Sequence, residues 1–117
     1  MRVLLADDHG IVRRGLRSLL EEAGHSVVAE AADGLETLRL CAEHHPELLI
    51  LDIAMPKLNG IEVVARAQKL DRPPAVIVLS VHADESYIMR ALAAGARGYL
   101  LKSATDEDLL PAVRAIS

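Results

Sequence analysis

The chain has 117 residues, enough for one domain with a buried core and no disulfide staples. It is 51% hydrophobic, and its net charge of −4 with no run of like charges argues against binding to nucleic acid or an anionic membrane, since both need a basic patch. No apolar run approaches the roughly 20 residues of a membrane span, no signal peptide is evident, and the single cysteine cannot form an internal disulfide, so a cytoplasmic location is expected.

Short aliphatic runs alternate with amphipathic stretches of helical length. Residues 3–6 predict a first strand, followed by a helix that ends at Gly24, and residues 26–29 predict a second strand. A second helix closes before Pro46, residues 48–51 form a third strand that is apolar throughout, and a third helix follows. Residues 75–79 and 98–101 predict the last two strands, separated by a helix that Asp84 caps. Thr105 and Asp108 resemble a capping box for a fifth helix, in which Pro111 predicts a bend or a late start.

Five strand-then-helix units predict an α/β domain over residues 1–117, with a parallel sheet covered by helices on both faces. The leading strand order is 2-1-3-4-5, the flavodoxin-like (βα)5 three-layer sandwich. In such a sheet, ligands bind beyond the carboxyl ends of the strands, at the switch point between strands one and three.

Polar residues stand where four of the five predicted strands end. Asp7 and Asp8 follow strand one, Asp52 follows strand three, Ser80 follows strand four and Lys102 follows strand five. Three converging carboxylates repel one another, and a divalent cation removes that conflict. Magnesium prefers oxygen ligands and commonly joins carboxylates to a phosphate, while a carboxylate can act as the nucleophile that forms an aspartyl-phosphate. The pattern therefore predicts a Mg²⁺-dependent phosphoryl-acceptor pocket.

These residues resemble the receiver domain of two-component response regulators. The matching segments span the chain and are Asp7-Asp8, the stretch from Asp52 to Gly60, Ser80, and Gly98-Tyr99-Leu100-Leu101-Lys102. Further segments are similar to the NarL/FixJ-type subfamily, namely Ala6-Asp7-Asp8-His9, Leu79-Ser80-Val81-His82 and the stretch from Gly95 to Ala104.

The resemblance implies a role for each metal-site residue. Asp52 is the expected phosphoacceptor. Asp8, Asp52 and the backbone carbonyl of Ala54 are expected to ligate Mg²⁺ directly, and Asp7 is expected to do so through a water. Mn²⁺ is expected to substitute for Mg²⁺.

The resemblance also implies a switch. Lys102 is expected to contact the phosphoryl group, Ser80 to move toward it, and Tyr99 to turn inward in response. The surface of helix four, strand five and helix five is then expected to rearrange. A half-buried packing role for Tyr99 is the alternative.

Three positions depart from the common family pattern. Ser103 follows Lys102 where many receivers have proline after a cis bond, so the peptide bond is either trans or strained, because a cis bond before a non-proline residue costs roughly 2.5–4 kcal/mol. Ala54 offers no polar side chain near the phosphoacceptor, and His82 lies two residues after Ser80. Ala54 and His82 are hypothesised to set the lifetime of the phosphorylated state.

The partners follow from family habit. A sensor histidine kinase is the expected phosphoryl donor, and the domain is expected to assist only its own phosphorylation and dephosphorylation. A C-terminal helix-turn-helix domain, absent from these 117 residues, is expected to bind DNA in the full-length protein. Phosphorylation is expected to favour a homodimer, either through helix four, strand five and helix five or through helices one and five.

Other functions fit the residues less well. A flavin carrier of the same topology would need a phosphate loop rich in Ser, Thr or Gly where Asp7-Asp8 stands. An aspartyl phosphatase would need an acid where Ala54 stands, and a degenerate receiver normally lacks part of the acid cluster or Lys102. The histidines give no persuasive metal motif: His44-His45 suits a helix C-terminus, and His9 can touch the acid pair.

Overall fold

A computed structural model describes residues 1–55, 57–81 and 84–116. Strands and helices alternate along these segments. The strands are β1 (Arg2–Ala6), β2 (Ser26–Ala31), β3 (Leu48–Asp52), β4 (Ala75–Ser80) and β5 (Gly98–Leu101). The helices are α1 (Gly10–Glu22), α2 (Gly34–His44), α3 (Gly60–Ala67), α4 (Glu85–Ala94) and α5 (Thr105–Ile116), with a 3₁₀ turn at Lys102–Ala104 before α5.

All neighbouring strands pair in parallel, in the order β2-β1-β3-β4-β5. The predicted (βα)5 fold and strand order are therefore confirmed. β1 and β3 are direct neighbours, with Ala6 opposite Leu51, so the residues that follow β1 face those that end β3. This register places the switch point at the acidic residues.

The two faces of the sheet pack against different sets of helices. Alternate residues of a strand point to opposite faces, so Val3 and Leu5 join one core while Leu4 and Ala6 join the other. The first core includes apolar residues of α1 and α5: Leu16, Leu20, Leu109 and Val113. The second includes residues of α2, α3 and α4: Cys41, Val63, Val64 and Ala91. A sheet buried on both faces explains why β3 has no polar residue before Asp52.

Side-chain caps fix the start of three helices. Asp33 accepts a hydrogen bond from the Glu36 N–H, and Asn59 accepts one from the Glu62 N–H. Asp84, the predicted cap of α4, accepts one from the Ser86 N–H. Each cap satisfies an N–H group that has no partner inside its helix.

The start of α5 differs from its prediction. Thr105 is already helical, and its hydroxyl donates to the Lys102 carbonyl at 3.0 Å instead of capping the helix. The helix then runs from Thr105 through Pro111 to Ile116, so it does not start late. No peptide bond of the described segments is cis, so the Lys102–Ser103 bond is trans.

Candidate functional site

The carboxyl ends of β1 and β3 bring Asp7 and Asp52 into one buried pocket, with the Lys102 ammonium between them. Asp7 is 1% exposed and Asp52 is 2% exposed. Lys102 Nζ lies 2.9 Å from Asp52 Oδ2 and 3.2 Å from Asp7 Oδ2. One cation thus bridges two buried carboxylates and supplies positive charge to both.

The Lys102 side chain comes from the far edge of the sheet, two strands away from Asp52. Burial by itself lowers the pKa of its ammonium, but the hydrogen bonds and negative charges of Asp52 and Asp7 outweigh burial, and the pKa is raised above its ordinary value. Lys102 therefore carries its charge throughout the neutral range.

Asp7 is held by the start of α1. Its Oδ1 accepts a hydrogen bond from the His9 N–H at 2.8 Å, and its backbone carbonyl accepts one from the Arg13 guanidinium. Its Oδ2 is buried without a well-aligned hydrogen bond, although Lys102 Nζ is within ion-pair distance. An oxygen left in this condition is a candidate ligand for a cation.

Asp8 lies beside Asp7 with its side chain 30% exposed, so it faces the mouth of the pocket. One oxygen or nitrogen each from Asp7, Asp8, His9 and Asp52 lies within 4.8 Å of every other, a spacing that a single metal ion can bridge. Three carboxylates and one buried oxygen without a hydrogen bond suit a hard divalent cation. The residues present therefore fit a metal ion.

The loop after β3 orients the Asp52 carboxylate. Asp52 Oδ1 accepts a hydrogen bond from the Ala54 N–H at 3.0 Å, which leaves Oδ2 to Lys102. The loop closes where the Gly60 N–H donates to the Ile53 carbonyl, also at 3.0 Å. A Cβ at Gly60 would lie 2.5 Å from Ile53 Cα, so the approach of loop and helix requires glycine there.

Ser80 and Tyr99, the other predicted site residues that the structure describes, lie on β4 and β5. Ser80 ends β4 and is 1% exposed, and it pairs with Leu101 of β5, one residue before Lys102. Tyr99 is half-buried on β5 and packs against the core beneath α2, α3 and α4. His82 lies outside the described residues. The structure thus brings together Asp7, Asp8, Asp52 and Lys102.

The structure shows contacts of two further residues, Arg13 and His9, with the acid pair. The Arg13 guanidinium donates hydrogen bonds to the Asp7 carbonyl and to Glu30 of β2. No local sequence pattern predicts these contacts, because they join segments that are distant in the sequence. The His9 ring touches the acid pair, with Nδ1 3.2 Å from Asp7 Oδ1 and 3.1 Å from Asp8 Oδ1. For His9, adjacency to Asp7-Asp8 was the only available signal.

The sheet has the order β2-β1-β3-β4-β5, and a lysine bridges a buried acid pair at its switch point. This combination is the one expected of a signalling receiver domain. The family model of the response regulator receiver domain matches residues 3–114, and the chain belongs to that family. It is a receiver domain of the NarL/FixJ type, as the sequence resemblance indicated.

Particular relatives support this membership. The chain is 38% identical to the transcriptional regulatory protein DegU of Brevibacillus brevis, over 100% of this chain and 50% of that protein. It is similar to the signal receiver domain of NarL from Mycobacterium tuberculosis, with TM-score 0.92, 36% identity and coverage of 97% and 93% of the two chains. It also matches a chain of the CheX–CheY–BeF₃–Mg²⁺ complex from Borrelia burgdorferi, with TM-score 0.93, 26% identity and coverage of 99% and 88%.

The chain spans about half the length of the curated relatives it matches. None of the helices that the structure describes has both the length and the apolar character of a membrane span.

Proposed function

We propose that this receiver domain accepts a phosphoryl group on Asp52 from a sensor histidine kinase. The observation that carries the proposal is the buried Asp52 carboxylate, oriented by the Ala54 N–H and bridged to Asp7 by Lys102. An Asp52 oxygen attacks phosphorus, and the bond from phosphorus to the donor atom breaks. The leaving group, the histidine imidazole of a phosphohistidine or the carboxylate of a small acyl phosphate, departs with the bonding pair.

Asp8, Asp52 and the backbone carbonyl of Ala54 would hold Mg²⁺ directly, and Asp7 would hold it through water. When bound, the ion neutralises negative charge on the oxygens of the incoming group. Mn²⁺ would take the same place. The Mg²⁺ of the similar CheX–CheY complex and the acid cluster of this chain both support the assignment.

Lys102 would stabilise the incoming phosphoryl group, because its ammonium already contacts the accepting carboxylate. Ser80 would add a hydroxyl donor from the end of the neighbouring strand, and Tyr99 would respond on β5. His82 and Ala54 would set how long the group persists. The position two residues after Asp52 carries no acid, so the domain would not turn over external phosphate esters.

A groove between α1 and α5 offers the kinase an approach to this pocket. It has a volume of about 250 Å³, and its lining includes Ile11, Leu16, Lys102 and Asp106. Ile11 is 83% exposed and therefore available for an apolar contact beside the phosphorylation site.

Residues 1–117 would form the single receiver domain. The conformational change on phosphorylation would pass through the surface of α4, β5 and α5 to a C-terminal DNA-binding domain. A homodimer would form on phosphorylation through this surface or through α1 and α5. Response-regulator relatives about twice as long as this chain support a further effector domain. The protein would act in the cytoplasm, where histidine kinases present their phosphoryl group.

Intact mass spectrometry tests the acceptor. The chain is incubated with acetyl phosphate and Mg²⁺, beside Asp52→Asn and, as a matched control, Asp33→Asn, which alters an acid outside the pocket. One added phosphoryl group is expected in the parent and in Asp33→Asn, and none in Asp52→Asn. No addition in any of the three would reject the acceptor role.

A further inference from the structure

The imidazole of His9 is placed by the acid pair and not by helix capping or packing. His9 occupies the N-cap position of α1, yet its side chain makes no capping hydrogen bond. The side chain is 63% exposed, so no core holds it. Its Nδ1 instead approaches Asp7 Oδ1 at 3.2 Å and Asp8 Oδ1 at 3.1 Å. The ring thus has its nitrogen directed at the mouth of the metal pocket.

The spacing of His9 Nδ1 and Asp8 Oδ1 suits two direct ligands of one ion, with Asp7 close enough to reach the ion through water. Adjacent ligands of an octahedral ion with bonds of about 2.1 Å are separated by about 3.0 Å. The 3.1 Å from His9 Nδ1 to Asp8 Oδ1 is close to that value, and an oxygen of Asp52 belongs to the same set within 4.8 Å. The buried Asp7 Oδ2 adds a second observation, because it has no aligned hydrogen bond and only the ion pair with Lys102 Nζ at 3.2 Å, which leaves this pocket with capacity for a further cation.

We propose that His9 Nδ1 is a direct metal ligand and biases this receiver's site toward late first-row transition ions such as Co²⁺, a proposal that rests on the metal site proposed above. Carboxylate oxygens suit Mg²⁺ and Mn²⁺, whereas imidazole nitrogen suits cobalt, nickel and zinc better than magnesium. Adding one nitrogen to the oxygen set therefore raises affinity for Co²⁺ selectively. The metal present in the cell would then influence how the receiver is loaded.

A counter-ion role for His9 gives the opposite expectation. A protonated ring beside Asp7 and Asp8 competes with any cation for the same carboxylates. Removal of such a ring would raise the affinity for Mg²⁺ and Co²⁺ together. Removal of a ligand lowers the affinity for Co²⁺ and leaves that for Mg²⁺ nearly unchanged.

Metal titration by calorimetry separates these expectations. The proteins are the wild type, His9→Ala, and His44→Ala as a control for a histidine on α2, away from the pocket. We expect His9→Ala to weaken Co²⁺ binding by about tenfold or more and to change Mg²⁺ binding by less than about twofold. His44→Ala should match the wild type. An equal change for both ions, or no change for Co²⁺, overturns the proposal.

Pulsed electron paramagnetic resonance of the Mn²⁺-loaded protein provides a direct readout. A ¹⁴N modulation from bound imidazole is expected in the wild type and in His44→Ala, and its loss is expected in His9→Ala. If Asp52→Asn abolishes Mn²⁺ binding but no ¹⁴N modulation is seen in the wild type, the His9 proposal fails and the metal site stands. If the wild type binds neither Mn²⁺ nor Mg²⁺, the metal site fails and the His9 proposal fails with it.

Discussion

Replacement of Lys102 by methionine removes the ammonium that bridges two buried carboxylates while keeping most of the apolar stem. Lys102 Nζ lies 2.9 Å from Asp52 and 3.2 Å from Asp7, whose exposures are 2% and 1%. Removing one partner of a buried ion pair costs about 3–5 kcal/mol. Because the Lys102 side chain keeps 18% of its exposure, we expect the free energy of unfolding without metal to fall by about 3 kcal/mol.

Proton uptake limits this loss. A carboxylic acid of ordinary pKa, about 3.9, can be protonated at pH 7 at a cost of about 4 kcal/mol, so the loss cannot greatly exceed that figure. This upper limit on the loss of free energy of unfolding falls by about 1.4 kcal/mol for each pH unit toward pH 4, because a protonated carboxyl needs no cation. The raised pKa keeps Lys102 charged over this range, so the wild type retains its bridging ammonium as the pH falls. The loss is therefore largest at neutral pH and recovers in acid.

Urea unfolding followed by far-ultraviolet circular dichroism measures the effect, since the chain has no tryptophan. Lys102→Met and the wild type are compared in EDTA at neutral and mildly acidic pH. Lys57→Met is the matched control, because Lys57 is 65% exposed and its ion pair with Asp33 spans 3.6 Å. Equal losses in the two variants, or a loss at Lys102 that does not change with pH, would refute the reasoning.

Three further outcomes are expected. Gly60→Ala should lower the free energy of unfolding by about 1–3 kcal/mol in a urea titration, because its Cβ would lie 2.5 Å from Ile53 Cα; an unchanged midpoint would contradict that contact. Burial raises the pKa of the Cys41 thiol to about 12, so iodoacetamide should label it only after unfolding, and rapid labelling of the native chain would show the thiol to be accessible. The hydrogen bond from the Glu36 N–H lowers the pKa of Asp33, so Asp33→Asn should reduce the urea midpoint at neutral pH. The difference in midpoint between this variant and the wild type should vanish as the pH falls below 3.8, and a difference that stays constant would rule out this charge effect.

The sequence predicted the convergence of Asp7, Asp8 and Asp52 because that convergence depends on topology alone, whereas Lys102 reaches Asp52 from two strands away through its long side chain. The carboxyl ends of parallel strands lie at the same edge of the sheet, and the strand order places β1 beside β3 independently of side-chain conformation. The capping box at Thr105 was wrong for a tertiary reason. Lys102 directs its ammonium to Asp52 and is itself the first residue of a 3₁₀ turn, so Thr105 enters α5 already helical and its hydroxyl donates to the Lys102 carbonyl.

The direction of the His9 ring could not be predicted, because a side-chain rotamer at a loop–helix junction depends on what the neighbouring strand end presents. The pattern Asp7-Asp8-His9 places three candidate ligands in sequence but does not say whether they face one point. In the structure they do, since the His9 N–H donates to Asp7 Oδ1 while the ring Nδ1 lies 3.2 Å from the same oxygen and 3.1 Å from Asp8 Oδ1.

Sharing of Lys102 between two carboxylates couples the proposed phosphorylation to metal binding. A phosphoryl group on Asp52 adds negative charge and acceptor oxygens near Lys102, which already contacts Asp52 at 2.9 Å. The ammonium would turn toward them and away from Asp7, whose Oδ2 has no aligned hydrogen bond even before that change. A divalent cation at Asp7 and Asp8 then becomes the remaining source of compensation, so phosphorylation should tighten metal binding, and by reciprocity bound metal should favour phosphorylation.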